Sequence, residues 1–122
     1  MATRAKAHAA CKALAGATYD VKWGKDECYS VGGKMFAVIG PGSAHPGPKD
    51  SAWSIGFKVD DNRFLELTDI EGIIPAPYMA KHKWVLVQDP KALTDVELKA
   101  LIVRSHALIV AKLPKKVQAA LK

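Results

Sequence analysis

Leu98, Leu101, Ile102, Ser105, Leu108 and Ile109 recur at intervals of three and four, which places them on one face of an α-helix. Thr94 and Glu97 stand at the spacing of a capping box, where hydroxyl and carboxylate each take one free amide at a helix start. The pattern therefore predicts a long helix from this box to about Leu113. Pro114 lacks an amide proton, which costs nothing in a first turn, so a last short helix follows through Leu121. At the other end, Thr3 can cap a helix running to about Ala15, with Gly16 as its stop. Its apolar face, Ala7, Ala10, Cys11 and Leu14, is thin, so it is expected to pack at a sheet edge.

Between the helices the period shortens to two. Trp53, Ile55, Phe57 and Val59 alternate with Ser54, Gly56 and Lys58, the mark of a strand with one buried face. Tyr29 and Val31, then Gly32-Gly33, then Lys34 to Ile39 predict a β-hairpin, because paired glycines accept the positive φ angles of a tight turn. Residues 40–49 hold Pro41, Gly42, Pro46, Gly47 and Pro48 and are read as a surface loop. Asp60-Asp61-Asn62 offers cap chemistry for a short helix through Leu67 that ends before Gly72. Ile73 to Tyr78 carries Pro75 and Pro77, so it is extended and irregular or at an edge, and Lys83 to Gln88 returns to strand. The expected fold is α+β: an antiparallel β-sheet with helices packed on one face, in a single domain over 1–122.

Composition narrows the class. Nearly half of the 122 residues are apolar, enough for a core without metals or disulfides. No run is long and apolar enough to span a bilayer, and the N-terminal residues lack a signal-peptide pattern, so a cytoplasmic protein is expected. Cys11 and Cys28, a single pair in such a chain, are expected to be reduced thiols. The net charge of +6 is unevenly placed: residues 1–80 carry nine Lys/Arg and nine Asp/Glu, while 81–122 carry nine Lys/Arg against Asp89, Asp95 and Glu97. A basic C-terminal third attracts polyanions such as nucleic acid, although a solvated lysine-rich helix face would look the same.

Several stretches, in order, resemble the MmcQ/YjbR family: Lys22-Trp23-Gly24, Val31-Gly32-Gly33-Lys34-Met35-Phe36-Ala37, Phe57-Lys58-Val59, Pro75-Ala76-Pro77-Tyr78-Met79, Lys83-Trp84-Val85, and Ser105-His106 through Lys112-Leu113-Pro114-Lys115-Lys116. Each piece is short, and together they span most of the chain. The resemblance implies an α+β domain related in fold to the frataxin-like group, from a family of small bacterial proteins with a proposed double-wing mode of holding DNA. The chain departs from the family in its proline-rich 40–49 loop and in His106, where an aromatic such as Tyr is common.

For nucleic acid, the candidates are Lys34 and Lys58 on the strands, with Lys81, Lys83, Lys112, Lys115 and Lys116 near turns and helix ends, where long cationic side chains reach phosphates. Trp23, Tyr78 and Trp84 are candidates to line an aromatic groove; core packing is the plainer reading of each, as it is of Trp53. Gly32-Gly33-Lys34 lacks the spacing of a phosphate-binding loop and is a turn. His8 and Cys11, with Cys28 or His45, form no paired metal motif, and the first helix carries Arg4, Lys6 and Lys12 rather than the carboxylates that iron needs. Ser105 and His106 point to different helix faces and cannot serve each other as nucleophile and base. The expectation is a non-catalytic DNA-binding protein without cofactor or membrane contact, using the hairpin and the C-terminal third. The alternative is a protein-interaction module using the aromatic groove. Lipid adhesion through Leu113, Val117 and Leu121 would need that face to be left free.

Overall fold

The computed structural model of the chain describes residues 3–22, 26–41, 53–76, 79–89 and 92–121. Trp23, His45, Tyr78 and the loop from residue 42 onward lie outside the described residues. The elements run α1 (Arg4–Lys12), β1 (Thr18–Lys22), β2 (Asp26–Val31), β3 (Lys34–Pro41), β4 (Trp53–Lys58), α2 (Asp61–Thr68), β5 (Ile73–Pro75), a 3-10 turn (Ala80–His82), β6 (Trp84–Val87), α3 (Asp95–Val110) and α4 (Lys115–Ala120). Among the described residues six strands form one antiparallel sheet in the order β1-β2-β3-β4-β6-β5. The expected α+β architecture is the one found. Among the described residues no helix is long and apolar enough to cross a membrane.

Alternation along the strands divides the sheet into two faces. Tyr29, Val31, Ala37, Ile39, Ile55, Phe57, Val85 and Val87 meet Leu98, Leu101, Ile102 and Ile109 of α3 in the core, which Ala7 and Cys11 of α1 and Leu67 of α2 complete. Leu113 is buried there, with Val117 and Leu121 packed against it, so the apolar face of α4 is consumed by the core and not left for a lipid surface. Trp53 is a core residue, as its alternation predicts.

Three departures from the sequence reading have physical causes. The strand β1 is absent from the predicted set: Thr18 to Val21 are all exposed, so this edge strand shows no buried alternation. Helix α1 ends at Lys12 rather than near Ala15, because Leu14 and Ala17 turn back through bonds to the Cys11 and Leu14 carbonyls. Asp60 precedes α2 in the extended cap conformation, yet its carboxylate makes no capping bond. It accepts two bonds of 2.8 Å from the Arg104 guanidinium instead, which hold the carboxyl below its usual range. Elsewhere the capping chemistry is as read: Thr3 caps α1, and Thr94 with Glu97 forms the complete capping box of α3.

The hairpin joining β2 and β3 turns at Gly32 (φ 58) and Gly33 (φ 82), both in the left-handed region. A bulge then interrupts the ladder: Tyr29 faces Ala37 but Ser30 faces Met35, so Phe36 is one residue extra in β3. Phe36 and Ala37 are both fully buried, and Met35 is turned to the opposite face. The β3–β4 register ends at Ala37 and Phe57, leaving the Phe36 carbonyl and the Lys58 amide without ladder partners. Ser105 of α3, fully buried, fills the gap: its hydroxyl donates to the Phe36 carbonyl at 2.6 Å and accepts from the Lys58 amide at 3.0 Å.

Helix α1 is fastened to the hairpin by a second polar group. The His8 ring contacts the Tyr29 hydroxyl through Nδ1 at 2.6 Å and Glu27 through Nε2 at 3.3 Å. Glu27 also accepts from the Tyr19 hydroxyl at 2.8 Å and pairs with Arg4. A neutral ring satisfies both contacts at once, with Nε2–H donating to Glu27 and Nδ1 accepting from Tyr29. Burial, ahead of the opposing pull of Glu27, accordingly holds the His8 ring below its ordinary value.

Two outcomes follow. Ser105→Ala strands a buried carbonyl and a buried amide, so unfolding in urea should show a loss of about 2 kcal/mol; a change within a few tenths would mean the bulge tolerates the gap. Because the folded-state value of His8 lies below the unfolded one, its contribution is complete above pH 6.5 and fades as pH falls below that. The urea midpoint of the wild type should drop across this window while that of His8→Leu, already lower, stays flat; parallel curves would exclude a neutral His8.

Candidate functional site

The face of the sheet away from the helices carries Lys22, Asp26, Cys28, Met35, Val38, Gly40, Ser54, Gly56, Lys58, Trp84 and Leu86. Two adjoining depressions lie on it. A cleft of about 480 Å³ is lined by Lys22, Gly33, Lys34, Met35, Lys58, Met79, His82, Trp84, Ile109 and Lys112. An apolar groove of about 590 Å³ continues from it, sharing Met35, Met79 and Trp84 and floored by Val38, Gly56 and Leu86, with Asp26 at its rim.

The four lysines of the cleft arrive from four elements. Lys22 ends β1, Lys34 opens β3 at the hairpin, Lys58 ends β4, and Lys112 follows α3. Among the described residues no carboxylate lines the cleft, and none of the four lysines is paired with one within 4 Å. Lys58 is only 8% exposed; its ammonium donates to the His82 carbonyl at 2.5 Å and has the like-charged Lys112 ammonium as a neighbour. Burial first, then Lys112, with Lys83 adding less, lowers the Lys58 ammonium from its ordinary value, while Asp61 pulls the other way. Lys83 adopts φ 63, a left-handed conformation that costs a side-chain-bearing residue about 1–3 kcal/mol, in the turn that presents the His82 carbonyl to Lys58.

Of the residues singled out from sequence, Lys34, Lys58 and Lys112 come together here. Lys81 is exposed on the 3-10 turn, and Lys83 sets its ammonium 5.1 Å over the Phe64 ring of α2. Lys115 and Lys116 are exposed on the first turn of α4 and do not line the cleft. The hairpin tip is not a free-standing wing: a side chain at Gly32 would collide with Leu113, so the tip is docked on the start of α4, while Gly33 faces open space. Trp84 is 4% exposed and forms a wall, with no ring face offered to solvent. The other two aromatics of the expected groove, Trp23 and Tyr78, lie outside the described residues.

Lys22 and His82 join the cleft without having been singled out. Lys22 needed the edge strand β1, which shows no alternation, and nothing in the sequence ties His82 to β4. The remaining reactive groups are held elsewhere. The His106 ring donates to the Ala15 carbonyl at 2.8 Å and stands edge-on to Phe36, apart from the bonds of Ser105. Cys11 and Cys28 are buried free thiols, Cys11 pushed up to about 12 by burial. Among the described residues no group of His, Cys, Asp or Glu is arranged to hold a metal ion.

Comparison with known proteins agrees with this fold. The YjbR family profile matches residues 12–108, so the chain belongs to the YjbR family. A crystal structure of a Deinococcus radiodurans protein with a DUF419 domain superposes with a TM-score of 0.76 at 22% identity, covering 93% of this chain and 83% of that one. A Pseudomonas syringae protein superposes with a TM-score of 0.60 at 24% identity, covering 75% of this chain and 86% of that one. No curated protein matches the sequence.

The influence of Lys112 on Lys58 makes the cleft testable without a ligand. Lys112→Gln removes the like charge, so the Lys58 ammonium, which starts below its ordinary 10.5, should rise toward it. NMR titration of the lysine side chains reads this directly. An unchanged Lys58 would assign its lowered value to burial alone and leave the two amines uncoupled.

Proposed function

We propose that this protein binds nucleic acid through the phosphate backbone, without catalysis, at the cleft formed by Lys22, Lys34, Lys58 and Lys112. The observation that carries the reading is four lysines lining one cleft with no carboxylate among its described lining residues, in a chain whose whole positive excess falls after residue 80. Cations spread over four elements suit an extended polyanion better than a single small anion, and phosphate contact of this kind needs no base-specific geometry. Ser105 and His106 are engaged in hydrogen bonds and both thiols are buried, and none of the four lines the cleft, which favours binding over reaction chemistry. A protein-interaction role has the apolar groove in its favour, and there binding would depend weakly on salt.

Fluorescence anisotropy of labelled DNA across a salt series tests the reading. Log affinity should fall linearly with log salt, and Lys22→Ala, Lys34→Ala and Lys112→Ala combined should make the slope shallower by about 2 to 3, since each lost phosphate contact removes just under one unit. Lys99→Ala, exposed on α3 across the sheet, should leave the slope unchanged. Absence of binding at low salt would refute a nucleic-acid role; a slope that ignores the triple variant would move the interface away from this cleft.

A further inference from the structure

We propose that the apolar groove beside the lysine cleft receives an unpaired base, which makes the site one for single-stranded rather than duplex nucleic acid; the inference rests on the phosphate-binding reading above. It starts from Gly56. A glycine inside a central strand weakens that strand by about 0.5–1 kcal/mol relative to alanine, and usually marks a bulge, a bend or a close approach. Here β4 is regular on both sides of it: Gly56 pairs with Val38 of β3 and with Leu86 of β6. Gly56 is not among the glycines with positive φ, and among the described residues a Cβ there would meet nothing nearer than 3.5 Å. Neither backbone conformation nor crowding calls for glycine. Its missing side chain instead leaves a trough beside Val38, Leu86 and Trp84, in which Leu86 Cδ1 and Trp84 Cε3 each come to 3.9 Å from the place a Cβ would take, while the strands that carry Val38 and Leu86 lie about 9–10 Å apart.

The trough suits a flat heterocycle laid against the backbone. Met35 and Met79 stand at the junction with the cleft, and thioethers pack favourably against aromatic rings. The occupant must also be anionic, because the groove opens at that junction onto the four lysines. A nucleotide unit has both parts: phosphate for Lys22, Lys34, Lys58 and Lys112, and a base for the trough. A duplex keeps its bases stacked inside, and so would reach only the lysines. The Asp26 carboxylate, opposite Lys22 in the β1–β2 register and in the lining of the groove, disfavours phosphate inside the groove, so the phosphate is left to the lysine cleft and the base lies over Gly56.

The experiment compares three labelled probes at fixed salt: oligo-deoxythymidine, an abasic strand of the same length, and a duplex of the same length. The thymidine strand should bind about tenfold or more tighter than the abasic strand, the range that base stacking on protein surfaces provides. Gly56→Val, which fills the trough, should bring thymidine binding down to the abasic level and leave abasic binding untouched, which also shows that the variant is folded. Equal affinity for thymidine and abasic strands, with a normal salt slope, would overturn the base pocket while leaving phosphate binding intact. Duplex bound more tightly than the thymidine strand would likewise overturn it. No binding of any probe would overturn the phosphate-binding reading and this inference with it.

Discussion

The bulge at Phe36 and the Ser105 hydroxyl that fills it set the geometry of everything nearby. One extra residue in β3 places Phe36 and Ala37 side by side in the core and turns Met35 to the other face. The same irregularity would leave a carbonyl and an amide buried without partners, a cost of about 1–3 kcal/mol each. A single hydroxyl from α3 takes both, so the helix is fixed in height and rotation over β3 and β4. That position in turn determines where α3 ends, and hence where Ile109 and Lys112 stand relative to Lys58.

Charge is divided between the two faces of the sheet. On the helix side, Arg4 pairs with Glu27, Lys6 with Asp95, Arg63 with Glu66 and Arg104 with Asp60. These pairs are largely exposed and each contributes little to stability. Their effect is one of position, since they place carboxylates beside the cations of the helix layer and away from the cleft. Lys22, Lys34, Lys58 and Lys112 are left lining one cleft, with Asp61 acting on Lys58 and Asp26 opposite Lys22 in the β1–β2 register. Net charge alone would not distinguish this arrangement from lysines scattered over a solvated face.

The elements legible in the sequence were those whose signal is local. The capping box of α3, the Gly-Gly turn, the alternation of β4 and the proline-marked edge at β5 each follow from a few neighbouring residues, and each is present. The edge strand β1 was not legible, because four of its five residues are exposed and a strand without a buried face has no period. Nor was the bulge: alternation counted through Phe36 assigns Met35 to the core, one position out of phase with its place in the cleft. The site suffered from the same two omissions. Three of its lysines could be named, Lys34 and Lys58 on strands and Lys112 near a helix end, but their convergence with Lys22 depends on a strand and a register that only the fold supplies. Lys115 and Lys116, equally basic and equally near a helix end, lie outside the lining for the same reason.

Lys58 joins the fold to its use. Its amide belongs to the Ser105 bridge and its ammonium to the cleft, so one residue carries both the constraint and the charge. A lysine this buried is costly to keep ionised, and the neighbouring Lys112 raises that cost, as the lowered Lys58 value reflects. The His82 carbonyl, presented by the strained turn at Lys83, offsets part of it. Were the fold alone being served, an apolar residue at this place would avoid the desolvation and the repulsion together. An anion seated between the two amines would relieve both, so the free protein holds in this contact an unfavourable electrostatic term that anion binding removes. Because Lys58 is held by β4 and Lys112 by the segment that follows α3, rather than both by one flexible loop, the two amines cannot simply move apart to relieve the repulsion.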